Sequence, residues 1–264
     1  MKLRDKLTLI ISSCENYSDL WDNHMELLNQ NWPDRDISTI IVSDSQHDGV
    51  IEGCDIYSAG QGLEMPQRIK SFLSNVKTEY VLITLDDYYV IKTVDSNKIM
   101  RAIKLMDEAS LDYLRFWPYP HEKKRKEFSK KVYWIELNGN YKVNLYPSIW
   151  RKDFLESTLN DELSAWKYEV SLTSIAKNYG AKCAYSLNGE FPILDVIRKG
   201  KLLHPAKRYL DKHGMKLDRE VISYPLEIKL NLLYYAKEIL PKPILRALKK
   251  IMVKKGYKFY SEGM

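Results

Sequence analysis

Glu79-Tyr-Val-Leu-Ile-Thr-Leu-Asp-Asp-Tyr-Tyr-Val90 is the stretch on which the fold turns. Tyr80 to Leu85 is almost wholly apolar and rich in β-branched residues, the pattern of a strand buried on both faces. It stops on two carboxylates, Asp86 and Asp87. Strands covered on both sides belong to α/β sheets, where ligands bind beyond the carboxyl ends of the strands. Adjacent carboxylates at such an end repel each other and lose solvation, which a divalent cation with oxygen ligands relieves. The competing reading is that one of the two merely caps the following turn.

Upstream the same pattern recurs. Leu7 to Ile11 is a short apolar run ending in Ser12-Ser13-Cys14-Glu15-Asn16, and Ile37 to Val42 is another, stopped by Ser43, Asp44 and Ser45. Between them, Leu20, Trp21, Leu27 and Leu28 at roughly helical spacing predict a helix from about 18 to 31 with Ser18 as its cap. A short strand near Cys54 to Tyr57 leads through Gly60 and Gly62 to Pro66, a first-turn residue for a helix carrying Ile69, Phe72, Leu73 and Val76. Strand and helix thus alternate as in βαβ units, and the polar residues ending the three clear strands converge.

Downstream, a helix is expected over Asp95–Glu108 and a strand over Tyr113–Trp117. A hairpin is expected within Lys131–Tyr146 around Asn138-Gly139-Asn140. Helices at Lys152–Thr158 and Trp166–Tyr179 and a strand at Ala181–Ser186 complete this part. The expected fold class is α/β, a mixed, mostly parallel sheet flanked by helices. Residues 1–220 form one domain on this reading, and 221–264 a basic helical tail.

The tail stands out by charge. The 264 residues hold 41 Lys and Arg against 35 Asp and Glu, and after residue 220 the counts are 9 and 3, which leaves 32 of each sign before it. All the net positive charge lies in the last 44 residues. Leu226–Leu240 reads as a largely apolar helix broken by Pro241 and Pro243. Over 244–255 the residues Ile244, Leu245, Leu248, Ile251 and Met252 share one side of a helical wheel, and Arg246, Lys249, Lys250 and Lys254 take the other, with Lys255 out of place. Basic residues interleaved with an aliphatic stripe suit an anionic membrane surface, through 244–258, better than nucleic acid.

Composition excludes several classes. With 45% hydrophobic and 29% charged residues but only 11 Gly and 10 Pro, the chain is neither disordered nor collagenous. Three cysteines without a C-x-x-C pair indicate neither a disulfide framework nor a structural zinc site. The basic N-terminus runs straight into a strand, and no apolar segment reaches about 18 residues. A cytoplasmic protein, peripheral on the inner face of the cell membrane, is the expectation. There is no G-x-G-x-x-G after a strand, no P-loop, no H-E-x-x-H and no G-x-S-x-G.

Three segments carry a resemblance: Ile40-Ile-Val-Ser-Asp-Ser-Gln-His-Asp-Gly49, Met65-Pro-Gln-Arg-Ile69 and Glu79 to Val90. In order and spacing they resemble GT-A type glycosyltransferases, in particular the small bacterial enzymes that build capsular and other surface polysaccharides, over about residues 7 to 220. Pro147-Ser-Ile-Trp-Arg-Lys-Asp153 with Ala165-Trp-Lys-Tyr-Glu169 adds to it, since related sequences place a Trp and an acid at the acceptor side of the sugar site. The resemblance implies a nucleotide-sugar donor, with uridine diphosphate as its nucleotide, and a glycan or lipid-linked acceptor. Ser12 or Ser13 and Glu15 would line the nucleoside pocket, Asp44 would bond the base, Arg68 would approach base or diphosphate, and Asp86 would lie near the ribose. Asp87 would hold Mn²⁺ or Mg²⁺, and Glu169 would be the general base of an inverting displacement, a retaining outcome staying open. Trp166, with Tyr88 and Trp117, would contact sugar or acceptor.

The chain also departs from that pattern. Asp86-Asp87 is followed by Tyr88-Tyr89 where the family carries Asp-x-Asp or three acids, and Ser43-Asp44 stands where many relatives have two acids. Plain structural roles compete with several assignments: Glu169 as a cap of its helix, Arg68 as a surface residue paired with Glu64, His204 as an ordinary surface histidine rather than a metal ligand, and Lys123 to Lys126 as a solvated loop rather than a grip on pyrophosphate. A sugar nucleotidyltransferase and a non-catalytic binding subunit of a polysaccharide assembly complex are the rival functions.

Overall fold

The computed structural model describes residues 2–47, 49–121, 125–159 and 163–239. Strands β1 (Leu7–Ser12), β2 (Thr39–Ser43), β3 (Asp55–Ser58) and β4 (Tyr80–Leu85) alternate with helices α1 (Trp21–Asn31) and α2 (Met65–Leu73). Then come β5 (Tyr88–Val90), α3 (Ser96–Ala109), β6 (Tyr113–Arg115), β7 (Glu127–Ser129), β8 (Val132–Trp134), β9 (Ser148–Arg151), α4 (Lys152–Thr158), α5 (Ala165–Tyr179), β10 (Cys183–Ser186) and β11 (Ile193–Asp195). Among the described residues, nine strands form one sheet in the order β3-β2-β1-β4-β9-β6-β10-β8-β7. Strands β9 and β8 run against the others, and β5 pairs separately with β11. This is a mixed, mostly parallel sheet, as expected.

The continuous apolar runs follow from burial on both faces. Leu7, Leu9 and Ile11 of β1 and Leu82 of β4 pack on one side with Trp21, Met25 and Leu28 of α1 and Ile99, Ile103 and Met106 of α3. Ile10, Val81 and Ile83 pack on the other with Ile69 and Phe72 of α2, Phe154 of α4 and Leu172 of α5. Period-two alternation therefore feeds two cores, and neither face is left polar. Among the described residues no helix is long and apolar enough to cross a membrane.

Some expectations need correction. Ser18 does not cap a helix, because Glu15–Leu20 winds as a 3-10 turn that runs into α1. The hairpin lies earlier than Asn138-Gly139-Asn140: β7 and β8 pair across Lys130-Lys131, with Lys131 at φ 55°. Backbone in the segment before Pro147 is satisfied instead by side chains. Arg115 donates to the carbonyls of Trp117 and Lys142 at 2.7 Å each, Lys142 N–H donates to Thr173 Oγ1 at 2.9 Å, and Tyr113 donates to the Asn144 carbonyl at 3.0 Å. Paired this way, those groups do not require a ladder.

The chain divides into two compact units at Asp195–Val196. The second contains β12 (Ile197–Arg198) and β13 (Lys201–Leu202), a tight hairpin whose turn residues Lys199 and Gly200 have φ of 54° and 74°. Arg198 to Lys201 is thus a defined turn, of the kind in which both central residues take positive φ. Helices α6 (His204–Lys212) and α7 (Tyr224–Ile239) follow. His204 is no exposed residue: its Nδ1 meets the Glu227 carboxylate and its ring stacks on Tyr224 at 3.7 Å. The helix expected at 244–255, and with it the membrane segment 244–258, lies outside the described residues.

Asp95 caps α3 by accepting the Asn97 N–H at 2.8 Å. Asp95→Ala is expected to cost about 1 kcal/mol in urea denaturation, the usual loss of an N-cap. An unchanged midpoint would show that this bond adds nothing to the stability of the helix.

Candidate active site at the carboxyl ends of the parallel strands

Register brings the predicted residues together. Ser12 of β1 lies opposite Val42 of β2 and Leu85 of β4, so the chain leaves all three strands at one level. Beyond it Ser13 N–H donates to the Val42 carbonyl at 3.0 Å, and Asp86 N–H to the Ser12 carbonyl at 3.3 Å. Asp44, leaving β2, accepts the Glu15 N–H at 2.8 Å and so ties the loop after β2 to the loop after β1. Ser45 donates to the Glu15 carboxylate and strengthens that tie.

Cys14 marks the centre of this group. Burial pushes its thiol up, the Asp86 carboxylate adds to the shift, the Arg68 guanidinium opposes it, and Asp44 adds again. Residues from three other segments thus act on one sulfur. Arg68 is buried in the first turns of α2 and donates to the Leu63 carbonyl at 2.5 Å. Glu64 instead forms the capping box of α2 with Gln67.

A second group gathers around Tyr88. Its phenol is held well above its ordinary range, first by burial and then by Asp87, Tyr146, Asp195 and Glu169. Pairing of β5 with β11 sets Asp195 opposite Tyr88. Glu169 lies in the second turn of α5 and accepts the Leu145 N–H at 3.4 Å, so it does not serve as that helix's cap. Burial raises its carboxyl above the usual range, with the Leu145 bond pulling the other way.

Tyr88 and Trp117 both stack on Tyr146, each with ring centroids 5.5 Å apart, and form an aromatic wall beside the carboxylates. Trp166, in the first turn of α5, is 63% exposed. Ser12 and Ser13 are buried, and Ser13 donates to the Asp86 carboxylate. In the loop after β6, Arg125 lies over the Tyr133 ring at 5.9 Å. Lys123 and Lys124 lie outside the described residues.

Several residues that matter here carry no motif. Cys14 follows the two serines in sequence, but only the fold surrounds it with Asp86, Arg68 and Asp44. Asp195 reaches the site through a strand pairing of two short segments about a hundred residues apart. Trp21 is one of the apolar residues that predict this helix, and His24 carries no signal in the sequence. His24 is buried, its Nδ1 is 2.9 Å from the Asp86 backbone carbonyl, and Trp21 Nε1 donates to Ser13 Oγ at 2.6 Å.

Among the described residues no group of three or more His, Cys, Asp or Glu side chains is arranged to hold a metal ion. A cation engaged by one or two carboxylates with substrate phosphates and waters completing its shell fits the donor set here, which consists of hard oxygens. Asp87 is the residue that would hold it.

Burial lowers the His24 imidazole from 6.5 to about 4, with the Asp86 carbonyl resisting and Arg35 assisting. A base that stays neutral in the fold but charges in the unfolded chain stabilises fully above pH 6.5. That stabilisation is lost as pH falls toward 4, on the order of 3 kcal/mol. Urea denaturation between those pH values should show this loss for the wild type and a flatter profile for His24→Asn. Identical profiles would remove His24 as the cause.

No protein-family model matches the chain, and no curated protein matches it. Among solved structures it is similar to TarS of S. aureus, at 15% identity and a TM-score of 0.50, over 70% of this chain and 36% of that one. TarS 1-349 in complex with UDP-GlcNAc is similar at 16% identity and a TM-score of 0.49, over 75% and 60%. The mannosyltransferase PcManGT from Pyrobaculum calidifontis, in complex with GDP-Man and Mn²⁺, is similar at 12% identity and a TM-score of 0.49, over 98% and 83%. The chain thus spans about a third of the full TarS structure. What it shares with TarS at that identity is the fold, a GT-A-like mixed sheet flanked by helices.

Proposed function

We propose that this protein is a glycosyltransferase that moves a hexose from a nucleotide-sugar donor, with UDP as the nucleotide, to a lipid-linked or growing bacterial surface glycan. The observation that carries the reading is the meeting of Asp44 and Asp86 at the loop after β1, through Glu15 N–H and Ser13, with Asp195 set opposite Tyr88 next to Asp87, and with Arg68 and Glu169 close enough to act on Cys14 and Tyr88. On this reading the first group takes the nucleotide and the second the sugar, joined by the Asp86-Asp87 corner. The GT-A-like sheet supports the same reading by analogy.

In this reading the acceptor hydroxyl attacks the anomeric carbon and Glu169 takes its proton. The bond from that carbon to the β-phosphate oxygen breaks, and its electron pair leaves with the diphosphate. Arg68 stabilises the charge that develops there. A divalent cation, Mn²⁺ or Mg²⁺, bound through Asp87 would neutralise the same phosphates. A raised carboxyl suits Glu169 for the role, because a stronger base removes the acceptor proton more readily. Tyr88, Trp117 and Trp166 present aromatic surface for sugar and acceptor. Work at the cytoplasmic face of the membrane, with 244–258 on an anionic surface, completes the proposal.

UDP release from a panel of UDP-sugars in the presence of Mn²⁺ tests it. Asp87→Ala and Glu169→Gln are each expected to lower the turnover of the productive donor by roughly 100-fold or more. Glu169→Gln should leave UDP affinity within about threefold, the base acting on the acceptor rather than on the nucleotide. Because Glu169 must be ionised, kcat/KM should fall as the solution is acidified, and at a higher pH than an ordinary carboxylate near 4.5 would allow. Nucleotide binding that survives both substitutions with no turnover in the wild type would favour a binding subunit instead.

A further inference from the structure

We propose that Trp21, Ser13 and His24 are positioning residues that set the Asp86-Asp87 corner from the inner face of α1. The proposal rests on the reading of that corner as the nucleotide-sugar site. It assigns Ser13 a role through Asp86 rather than against the nucleotide.

The chemistry of the donors fixes the direction of each bond. An indole N–H can only donate, so Ser13 Oγ, 2.6 Å from Trp21 Nε1, must be the acceptor there. The hydroxyl's single proton is then available to the Asp86 carboxylate, and the two atoms are in contact. Asp86, with 7% of its surface exposed, thereby receives a hydrogen bond that is itself polarised by the one behind it. A backbone carbonyl can only accept, so the His24 nitrogen 2.9 Å from the Asp86 carbonyl is Nδ1–H. The proton is therefore absent from Nε2 in the neutral ring, and Nε2 is buried with no hydrogen-bond partner. The Asp86 carbonyl holds the imidazole in this tautomer, and Tyr89 packs against it with ring centroids 5.6 Å apart and planes near perpendicular while its own hydroxyl donates to the Leu20 carbonyl at 3.0 Å.

Asp86 is thus held at its main chain by His24 and at its side chain by Ser13, which Trp21 supports, and Trp21 and His24 are three apart on one helix, a spacing that places both on the same face. The carbonyl that His24 grips belongs to the peptide linking Asp86 to Asp87. Fixing that peptide fixes the point from which the Asp87 side chain departs, and a metal-binding carboxylate depends on such support for its geometry.

A matched control exists in the same helix layer. Trp32, next to the far end of α1, is also buried and also donates its indole N–H to a serine, Ser96 Oγ at 2.7 Å, with no link to Asp86. Calorimetric titration of the whole chain with UDP and Mn²⁺ should show affinity about tenfold weaker for Trp21→Phe and for His24→Leu, and within twofold of wild type for Trp32→Phe. Thermal denaturation of the two Trp→Phe variants should show comparable drops in Tm. His24→Asn, whose amide N–H donates where Nδ1–H did, should restore affinity to within about threefold. Equal nucleotide affinity in Trp21→Phe and Trp32→Phe, or no rescue by His24→Asn, would overturn the positioning role while leaving the nucleotide site intact. A wild type that binds no nucleoside diphosphate would overturn the site assignment itself, and the proposal with it.

Discussion

Parallel pairing of Leu7–Ser12 with Thr39–Ser43 and Tyr80–Leu85 ends in register, and the polar residues that follow have to share one small volume. Three chains turning away from a sheet at one level leave backbone N–H groups and carboxylates facing each other, with two apolar cores behind them. Bonds between loops meet the demand: Glu15 N–H to Asp44, Ser13 to Asp86, and Asp86 N–H to the Ser12 carbonyl. Burying a carboxylate such as Asp86 costs several kcal/mol unless it is hydrogen-bonded, so these contacts are conditions for the fold as much as features of a site.

The same constraint separates the two groups of charges. Asp86 belongs to the set around Cys14 and Asp87 to the set around Tyr88, so consecutive residues of one turn act on different groups. Glu169 reaches the second set from α5, and Asp195 reaches it from a strand paired with Tyr88–Val90. No single segment carries either set. Together they depend on the sheet order β2-β1-β4, on the pairing of β5 with β11, and on the aromatic stack of Tyr88, Tyr146 and Trp117.

What was legible in the sequence was whatever burial writes into local composition. The runs Leu7–Ile11 and Tyr80–Leu85 are apolar because both sheet faces are covered, and their polar ends announce Asp44, Asp86 and Asp87. Helices with a clear stripe, such as Ser96–Ala109 and Ala165–Tyr179, were legible for the same reason. Elements defined by distant partners were not. Ser148–Arg151 becomes a strand because it fits between Tyr80–Leu85 and Tyr113–Arg115, and its own residues hardly announce it. Asn138-Gly139-Asn140 has good turn chemistry, yet Thr173, Tyr113 and Arg115 bind the neighbouring backbone and no ladder forms there. Trp21 and His24 lie at core positions of an amphipathic helix, and only the tertiary fold shows that their polar atoms meet Ser13 and the Asp86 carbonyl.

Cys14 gives the central claim its most direct test, because it lies among Asp44, Arg68 and Asp86, while Cys54, also half-buried, lies just before β3. Alkylation by N-ethylmaleimide at mildly alkaline pH, followed by peptide mass spectrometry, reports on each thiol separately. With Mn²⁺ present, one nucleoside diphosphate from a panel of UDP, GDP, CDP and ADP, UDP on this account, should slow labelling of Cys14 and leave Cys54 unchanged. Labelling of Cys14 that no nucleotide slows, or that slows equally at Cys54, would contradict a nucleotide site at the ends of these strands.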